Sequence, residues 1–456
     1  VDARRTQRWL VASFVALCFL CPLPFACVTQ PFRLLAATIL ALLFFGAVAT
    51  NASWSKHTTA KVVPLLLLAG FAFLQSVALP RAVVNRLSPL RLELAEAASR
   101  ALGQAPPVSL PLSLAPELSR LAGTEVLAFV VACLLAALAA RDRWGERFLQ
   151  ASLVGAGLCQ VLVGALWKER NERWGITLAD AEGRLRGTFV NPDHAACFLA
   201  LVAPLALAWA FASWERFRRE PNREPALLGL AGGMLAFLVL ALGVVFSASR
   251  AGLLALALAT ATTSAFLARA RAGWMAAAGF GALLVALLLA GLSAWQAAFG
   301  RWLATVPGAL AWDTRVQVWQ HTWHMARKFL WAGSGFGTFR YAFAIAPGQE
   351  VPASVSFWHA HNDYLELLLT TGIPGVLLVA FAAFRVVRAL YRTWSSQLSG
   401  TGRALPAAAF GTLAAACLHA CFDFALSLPA VWLALGAVLG LALGHAVDSG
   451  QERRAP

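Results

Sequence analysis

His194-Ala-Ala-Cys-Phe-Leu-Ala-Leu-Val-Ala-Pro-Leu-Ala-Leu-Ala-Trp-Ala-Phe-Ala-Ser213 contains no Asp, Glu, Lys or Arg. About 20 such residues, rising about 1.5 Å each in a helix, cover the hydrocarbon thickness of a bilayer. Outward from this block the pattern repeats. Apolar stretches at approximately 9–28, 34–50, 62–79, 122–140, 148–167, 194–213, 226–246, 251–268, 274–297, 363–384, 405–426 and 429–447 read as twelve transmembrane helices. The chain of 456 residues is 59% hydrophobic and 13% charged, against about 25% charged in a soluble domain. This excludes a conventional soluble enzyme and a disordered chain, and blocks of this length exclude the weak ten-residue alternation of a β-barrel. The fold expected is an all-α polytopic membrane protein, with residues 1–456 forming one transmembrane domain.

The chain carries 37 Lys and Arg against 22 Asp and Glu, a net charge of +15. In a soluble protein that excess would point to nucleic acid; here membrane topology accounts for it and no nucleic-acid partner is expected. With both termini cytoplasmic, the inner segments hold 20 of the basic residues in 72 positions, and the outer ones hold 17 in about 140. That is the positive-inside bias. Three long outer segments follow: 80–121, a proline-rich cover with a helix-like run at Arg91–Leu102; 168–193, an Arg-bearing loop; and 298–362, the largest.

All eight cysteines lie in apolar segments, so no disulfide framework or zinc ribbon is expected, and the Cys18/Cys21 pair reads as packing. The stretch Trp9–Val28 is too long for a cleaved leader and reads as the first membrane helix. No appended soluble domain and no internal repeat are visible.

Five stretches carry residues that a bare membrane scaffold does not require. In Gly183-Arg-Leu-Arg-Gly-Thr-Phe-Val-Asn-Pro-Asp-His194, the Asn191-Pro192-Asp193 trio is a helix start, whereas Arg184 and Arg186 offer guanidinium groups suited to phosphate oxygens. In Phe246-Ser-Ala-Ser-Arg-Ala-Gly252, an arginine occupies a turn between two spans, where it needs an anion or a path to water. Leu310 to Leu330 has apolar residues at Val316, Trp319, Trp323, Ala326 and Leu330, an amphipathic helix capped by Asp313 or Thr314 and rimmed by tryptophans suited to the outer leaflet. The Gly333-Ser-Gly-Phe-Gly337 run after it follows no strand and faces a compartment without ATP, so it is not read as a nucleotide loop.

The fourth stretch, Trp358-His-Ala-His-Asn-Asp-Tyr-Leu-Glu366, brings His359 and His361 to the mouth of a span. The spacing admits a metal pair, but no further ligands at plausible spacing accompany it, and Asp180-Ala-Glu182 is a lone acidic pair in an outer loop that reads as a solvated surface feature. A histidine there, with Asn362, Asp363 and Glu366 around it, is suited to general-base work. In the fifth, His419 and Asp423 stand four residues apart, as if on one face near the outer end of the eleventh span. Ionisable residues inside a membrane are functional candidates, here as catalytic support or proton carriers.

Together these stretches resemble the O-antigen ligase/polymerase family of bacterial envelope enzymes. The resemblance rests on Arg186-Gly-Thr-Phe-Val-Asn-Pro192, Ser249-Arg250-Ala-Gly252, Arg315 with Trp319 followed by Gly333-Ser-Gly-Phe-Gly337, His361-Asn-Asp-Tyr-Leu-Glu366 with Gly372-Ile-Pro-Gly375, and Phe422-Asp423-Phe424. It covers roughly residues 120–450, and Asp193-His194 departs from the family pattern. It implies a C-type glycosyltransferase architecture in the bacterial inner membrane, metal-independent and inverting, with a periplasmic active site. The implied donor is an undecaprenyl-diphosphate-linked glycan, the acceptor a lipid A core or a growing glycan chain, and no cofactor is implied. In that chemistry Arg186, Arg250 and Arg315 bind the diphosphate and His361 is the base, with Asn362, Asp423 and His419 in support. Ligation is favoured over polymerisation. A lipid-linked oligosaccharide flippase or proton-coupled transporter is the reading from another class, but it calls for inverted repeats that the sequence does not show.

Overall fold

The computed structural model describes residues 3–50, 56–167, 172–173, 176–177, 183–220, 223–268, 281, 310–345 and 357–451. Asp180 and Glu182, all of the expected span 274–297 except residue 281, and parts of the 168–193 and 298–362 loops lie outside these residues. The helices are α1 (Ala3–Leu20), α2 (Gln30–Ala49), α3 (Lys56–Gln75), α4 (Arg81–Leu87), α5 (Pro89–Ala101), α6 (Pro116–Ala139), α7 (Arg143–Leu166) and α8 (Pro192–Arg219). They continue with α9 (Glu224–Phe246), α10 (Arg250–Ala268), α11 (Leu310–Lys328), α12 (Phe339–Ala344), α13 (Asp363–Ser396), α14 (Gly400–His419) and α15 (Pro429–Gln451). Short strand pairs join β1 (Ala78–Pro80) to β2 (Ser109–Pro111) and β3 (Glu172–Arg173) to β4 (Ile176–Thr177), both antiparallel. Among the described residues, seven helices are long and apolar enough to cross a membrane, α2, α6, α7, α8, α9, α10 and α13, with shorter apolar helices at Lys61–Gln75 and Pro429–His445. The protein is an all-α polytopic membrane protein.

The apolar block His194–Ser213 lies at the centre. In α8, 89% of the apolar window is buried, and the helix packs against α9, α10 and α14. Its sequence is apolar on every side, and such a helix belongs inside the bundle. Asn191 caps it, accepting from Asp193 N at 2.8 Å, with Pro192 in the first turn.

Several expected boundaries are corrected. The first span does not run unbroken to Val28: α1 ends at Leu20, and Pro22 and Pro24, which have no N–H to continue the ladder, lead into a 3-10 turn at Phe25–Cys27. Asp313 and Thr314 are not caps, since the described helix already includes Leu310. The 80–121 segment is more than a cover. It folds as α4, α5 and the β1–β2 pair, then enters α6.

The end of that segment takes part in a polar knot with the Gly333–Gly337 run and the middle of α13. Gln75, fully buried, donates from Nε2 to Ala332 O (2.7 Å) and Thr370 O (3.0 Å) and accepts from Phe336 N (2.9 Å). Leu114 N donates to Ser334 O, Ser334 N to Leu369 O and Ile373 N to Leu330 O. These bonds use backbone groups of α13 where the helix is interrupted at Gly372, whose φ is +63°. A Cβ on Gly333 would stand 2.2 Å from Thr370 O, and its φ of +72° also excludes a side chain. The glycine run is thus required by close backbone approach.

Gly333→Ala therefore loses about 2–4 kcal/mol of stability through strain and forced separation. Gly232→Ala, with nothing within 4 Å of the added carbon, is neutral or slightly stabilising. Thermal unfolding of both variants in one detergent checks this; equal midpoints would remove the knot from the account. Gln75→Leu, which leaves buried partners unsatisfied, falls by a similar amount in the same assay.

Candidate functional site

The Arg186 stretch is folded against α7 and the end of α9. Leu185 N donates to Phe246 O at 2.9 Å, and Thr188 N donates to Gln160 Oε1 at 2.8 Å. Gly187 has a φ of +57°, and a Cβ there would meet Gln160 at 2.3 Å. Phe189 is buried against Phe198, with ring centroids 5.5 Å apart. Scaffold demands thus account for Gly187, Thr188, Phe189, Asn191 and Pro192.

The Ser249-Arg-Ala-Gly252 turn divides in the same way. Ser249 Oγ accepts from Gly252 N at 3.1 Å and starts α10. A Cβ on Gly252 would stand 2.5 Å from the Ala196 methyl, so this glycine lets α10 approach α8. Ala248 holds a left-handed backbone, φ +52°. Arg184 donates from Nε to Ser247 O at 2.7 Å and pairs with Asp193 at 2.6 Å, tying the turn to the first turn of α8. Arg250 lies within electrostatic range of Arg315, Asp193 and Arg184. Arg186 is buried, 3% exposed.

Arg315 comes from α11, far away in sequence. Four residues on, and so on the same face of α11, Trp319 donates from Nε1 to Ala360 O at 3.0 Å. The Arg315-x-x-x-Trp319 spacing thereby joins the arginines to the histidine segment.

That segment is held on all sides. Asn362 Oδ1 caps α13, accepting from Tyr364 N and Leu365 N, while its Nδ2 donates to Cys421 O at 3.0 Å. Asp363 N donates to Ala420 O, and Tyr364 Oη to Cys417 O at 2.8 Å. Glu366 accepts from Ala360 N and lies 2.9 Å from His359 Nδ1. His361, in the left-handed region with φ +50°, places Nδ1 3.2 Å from Asp423 Oδ1. The other carboxylate oxygen lies 3.7 Å from His194 Nε2. His194, His359 and His361 all lie against the Phe424 ring, His359 stacked at 4.1 Å and the other two edge-on at 4.7 and 5.0 Å.

The structure therefore brings His361, Asn362 and Asp423 together and sets Arg250 within electrostatic range of Arg315. Adjacent residues in the first turn of α8, Asp193 and His194, link the two groups. His359 and His361 turn to different carboxylates, Glu366 and Asp423, so the pair does not converge on one point. The expectation that His419 and Asp423 share one helical face is corrected. α14 ends at His419, and Asp423 lies in the following turn, its N–H donating to His419 O at 3.1 Å. His419 is 1% exposed, and neither ring nitrogen has a hydrogen-bond partner among the described residues.

The sequence pattern set Glu366 near the histidine and Phe424 in the late-span motif without giving either a role, and set His194 apart as a departure from the family pattern; of the two arginines named together, Arg184 makes the ion pair with Asp193. His194 is the first residue of an apolar block beside two arginines, a signal that could have marked it. Phe424 had none.

Residues 235–380 match the Wzy_C family model, O-antigen ligase. No curated protein matches the chain. The matched stretch holds Arg250, Arg315 and His361, while Arg184, Arg186, His194 and Asp423 lie outside it. The match over residues 235–380, about a third of the chain, supports the O-antigen ligase/polymerase family and, with it, a glycosyltransferase-like membrane enzyme.

Proposed function

We propose that this protein transfers a glycan from undecaprenyl diphosphate to an acceptor hydroxyl at the periplasmic face of the bacterial inner membrane, with both termini cytoplasmic. Ligation to a lipid A core is the favoured reaction. The observation that carries the reading is the first turn of α8, where Asp193 belongs to the arginine group and the next residue, His194, to the histidine group.

Direct displacement needs both groups. The acceptor oxygen forms a bond to the anomeric carbon, the bond to the diphosphate breaks with its electron pair, and the configuration inverts. Arg250 and Arg315, with Arg184 and Arg186 behind them in sequence, neutralise the departing diphosphate through guanidinium contacts. His361 takes the acceptor proton on Nε2, because its Nδ1 is turned to Asp423. Asn362 fixes the start of α13, and Asp423 holds the imidazole in one tautomer. No metal has a part in this scheme. His419 is kept as a buried support of the turn that carries Asp423.

Purified protein with a synthetic lipid-diphosphate glycan and a panel of acceptors tests the proposal. Product on lipid A core makes it a ligase, lengthened glycan makes it a polymerase, and no transfer to any acceptor removes the reading. Arg250→Lys and Arg315→Lys each lose at least tenfold in turnover, since Lys keeps charge without the planar fork, and the Ala variants lose about 10²- to 10³-fold. Wild-type rates in these variants would show that the arginines do not hold the leaving group.

His361→Ala loses about 10²- to 10⁴-fold, or 3–5 kcal/mol of barrier, with donor affinity retained. His359→Ala loses less. If donor binding falls with His361→Ala, the residue is a clamp and not the base. Turnover persists in EDTA; collapse with chelation and recovery with magnesium would bring a metal into the mechanism.

A further inference from the structure

At the opposite end of α8 a cavity of about 880 Å³ lies between the starts of α7 and α14 and the ends of α8 and α15. Arg216 is 22 residues from His194, about 33 Å along the helix axis, so the cavity is separate from the arginine and histidine groups. Arg141, Arg143, Arg147 and Arg216 line it, as does Gln397.

The charges stand where a helix least favours them. Arg143 and Arg147 are one turn apart at the start of α7, where the helix dipole is positive and like charges at that spacing repel. Neither has an ion-pair partner among the described residues. The start of α14, with Ser399, Thr401 and Gly402, opens into the same space. Two positive helix ends and four guanidinium groups thus meet two carboxylates of the lining. Of these, Glu146 is engaged by Gln150 (3.1 Å) and His445 (3.5 Å), and Glu220 is exposed at the rim.

A second observation is independent of charge. Gln397 is 8% exposed, and its Nε2 has no hydrogen-bond partner among the described residues; the same holds for the buried Nε of Arg216. Both are donors, and both line the cavity. An acceptor-rich anion satisfies them and offsets the repulsion.

We propose that this cavity binds a phosphate-bearing anion, either the headgroup of an anionic membrane phospholipid or a soluble phosphate ester. The apolar side of the lining, Ala208, Trp209, Ala212 and Pro225, gives an acyl chain a path away from the headgroup. The site lies on the side assigned to the cytoplasm by the positive-inside bias, and it stands apart from the proposed transfer reaction.

The test titrates the full chain, held in phosphatidylcholine nanodiscs, with dioctanoyl phosphatidylglycerol and separately with glycerol 3-phosphate, read by thermal shift. Saturable stabilisation by phosphatidylglycerol alone identifies the lipid; stabilisation by both identifies the phosphate ester as sufficient. Arg147→Gln with Arg216→Gln weakens the apparent Kd at least tenfold, whereas Arg388→Gln with Arg392→Gln, removing two same-side charges outside the lining, leaves it unchanged. Thr401→Glu guards against simple misfolding. It puts a carboxylate at a helix start, where it is tolerated or stabilising, and fills the cavity with its own anion. That variant folds and fails to bind. No binding of either probe by the wild type, equal weakening in the control pair, or wild-type binding by Thr401→Glu overturns the proposal.

Discussion

A carboxylate that is 2% exposed sits at the meeting point of three helix ends. Burial of an unpartnered charge costs several kcal/mol, so the turn that carries Asp423 is stable only if the chain supplies donors around it. His361 supplies one from the entry to α13, and His194 stands close by at the entry to α8. The following residue, Phe424, offers its ring to the same two imidazoles and to His359. The start of α8, the start of α13 and the end of α14 are thereby fixed relative to one another.

Much of each motif is consumed by the scaffold. Gly187, Thr188 and Asn191 close a turn on Gln160 and start α8; Ser249 and Gly252 start α10 and seat it on α8. Asn362, Tyr364 and Glu366 bind backbone or His359. Onto this frame Arg250 and Arg315 bring cations, and His361 brings an imidazole whose Nδ1 faces the buried Asp423. These are the residues that the proposed leaving-group and proton-transfer steps need.

Hydropathy made the membrane helices legible, because each block must satisfy its own backbone and so reports its state locally. The Asn191-Pro192 start of α8 was legible for the same reason, since it acts on the next few residues. Non-local features were not. Gln75 looks like an ordinary helix end until Ala332, Phe336 and Thr370 are placed beside it. The Gly333–Gly337 run reads as a loop of unknown purpose until its contact with Gly372 is seen. The His419–Asp423 spacing misled because period counting assumes that the helix continues, and α14 stops at His419.

The backbone of His361 shows how firmly the site is built. A non-glycine residue at φ +50° costs on the order of 1–3 kcal/mol and persists only where its surroundings over-determine it. Here the neighbours do so. Ala360 is bound at its carbonyl by Trp319 and at its N–H by Glu366, Asn362 reaches Cys421 O, and Asp363 N reaches Ala420 O. Four bonds at about 1 kcal/mol each outweigh the local strain. The ring is thus set against Asp423 before any substrate arrives, and no reorganisation is left for the step in which a proton would move.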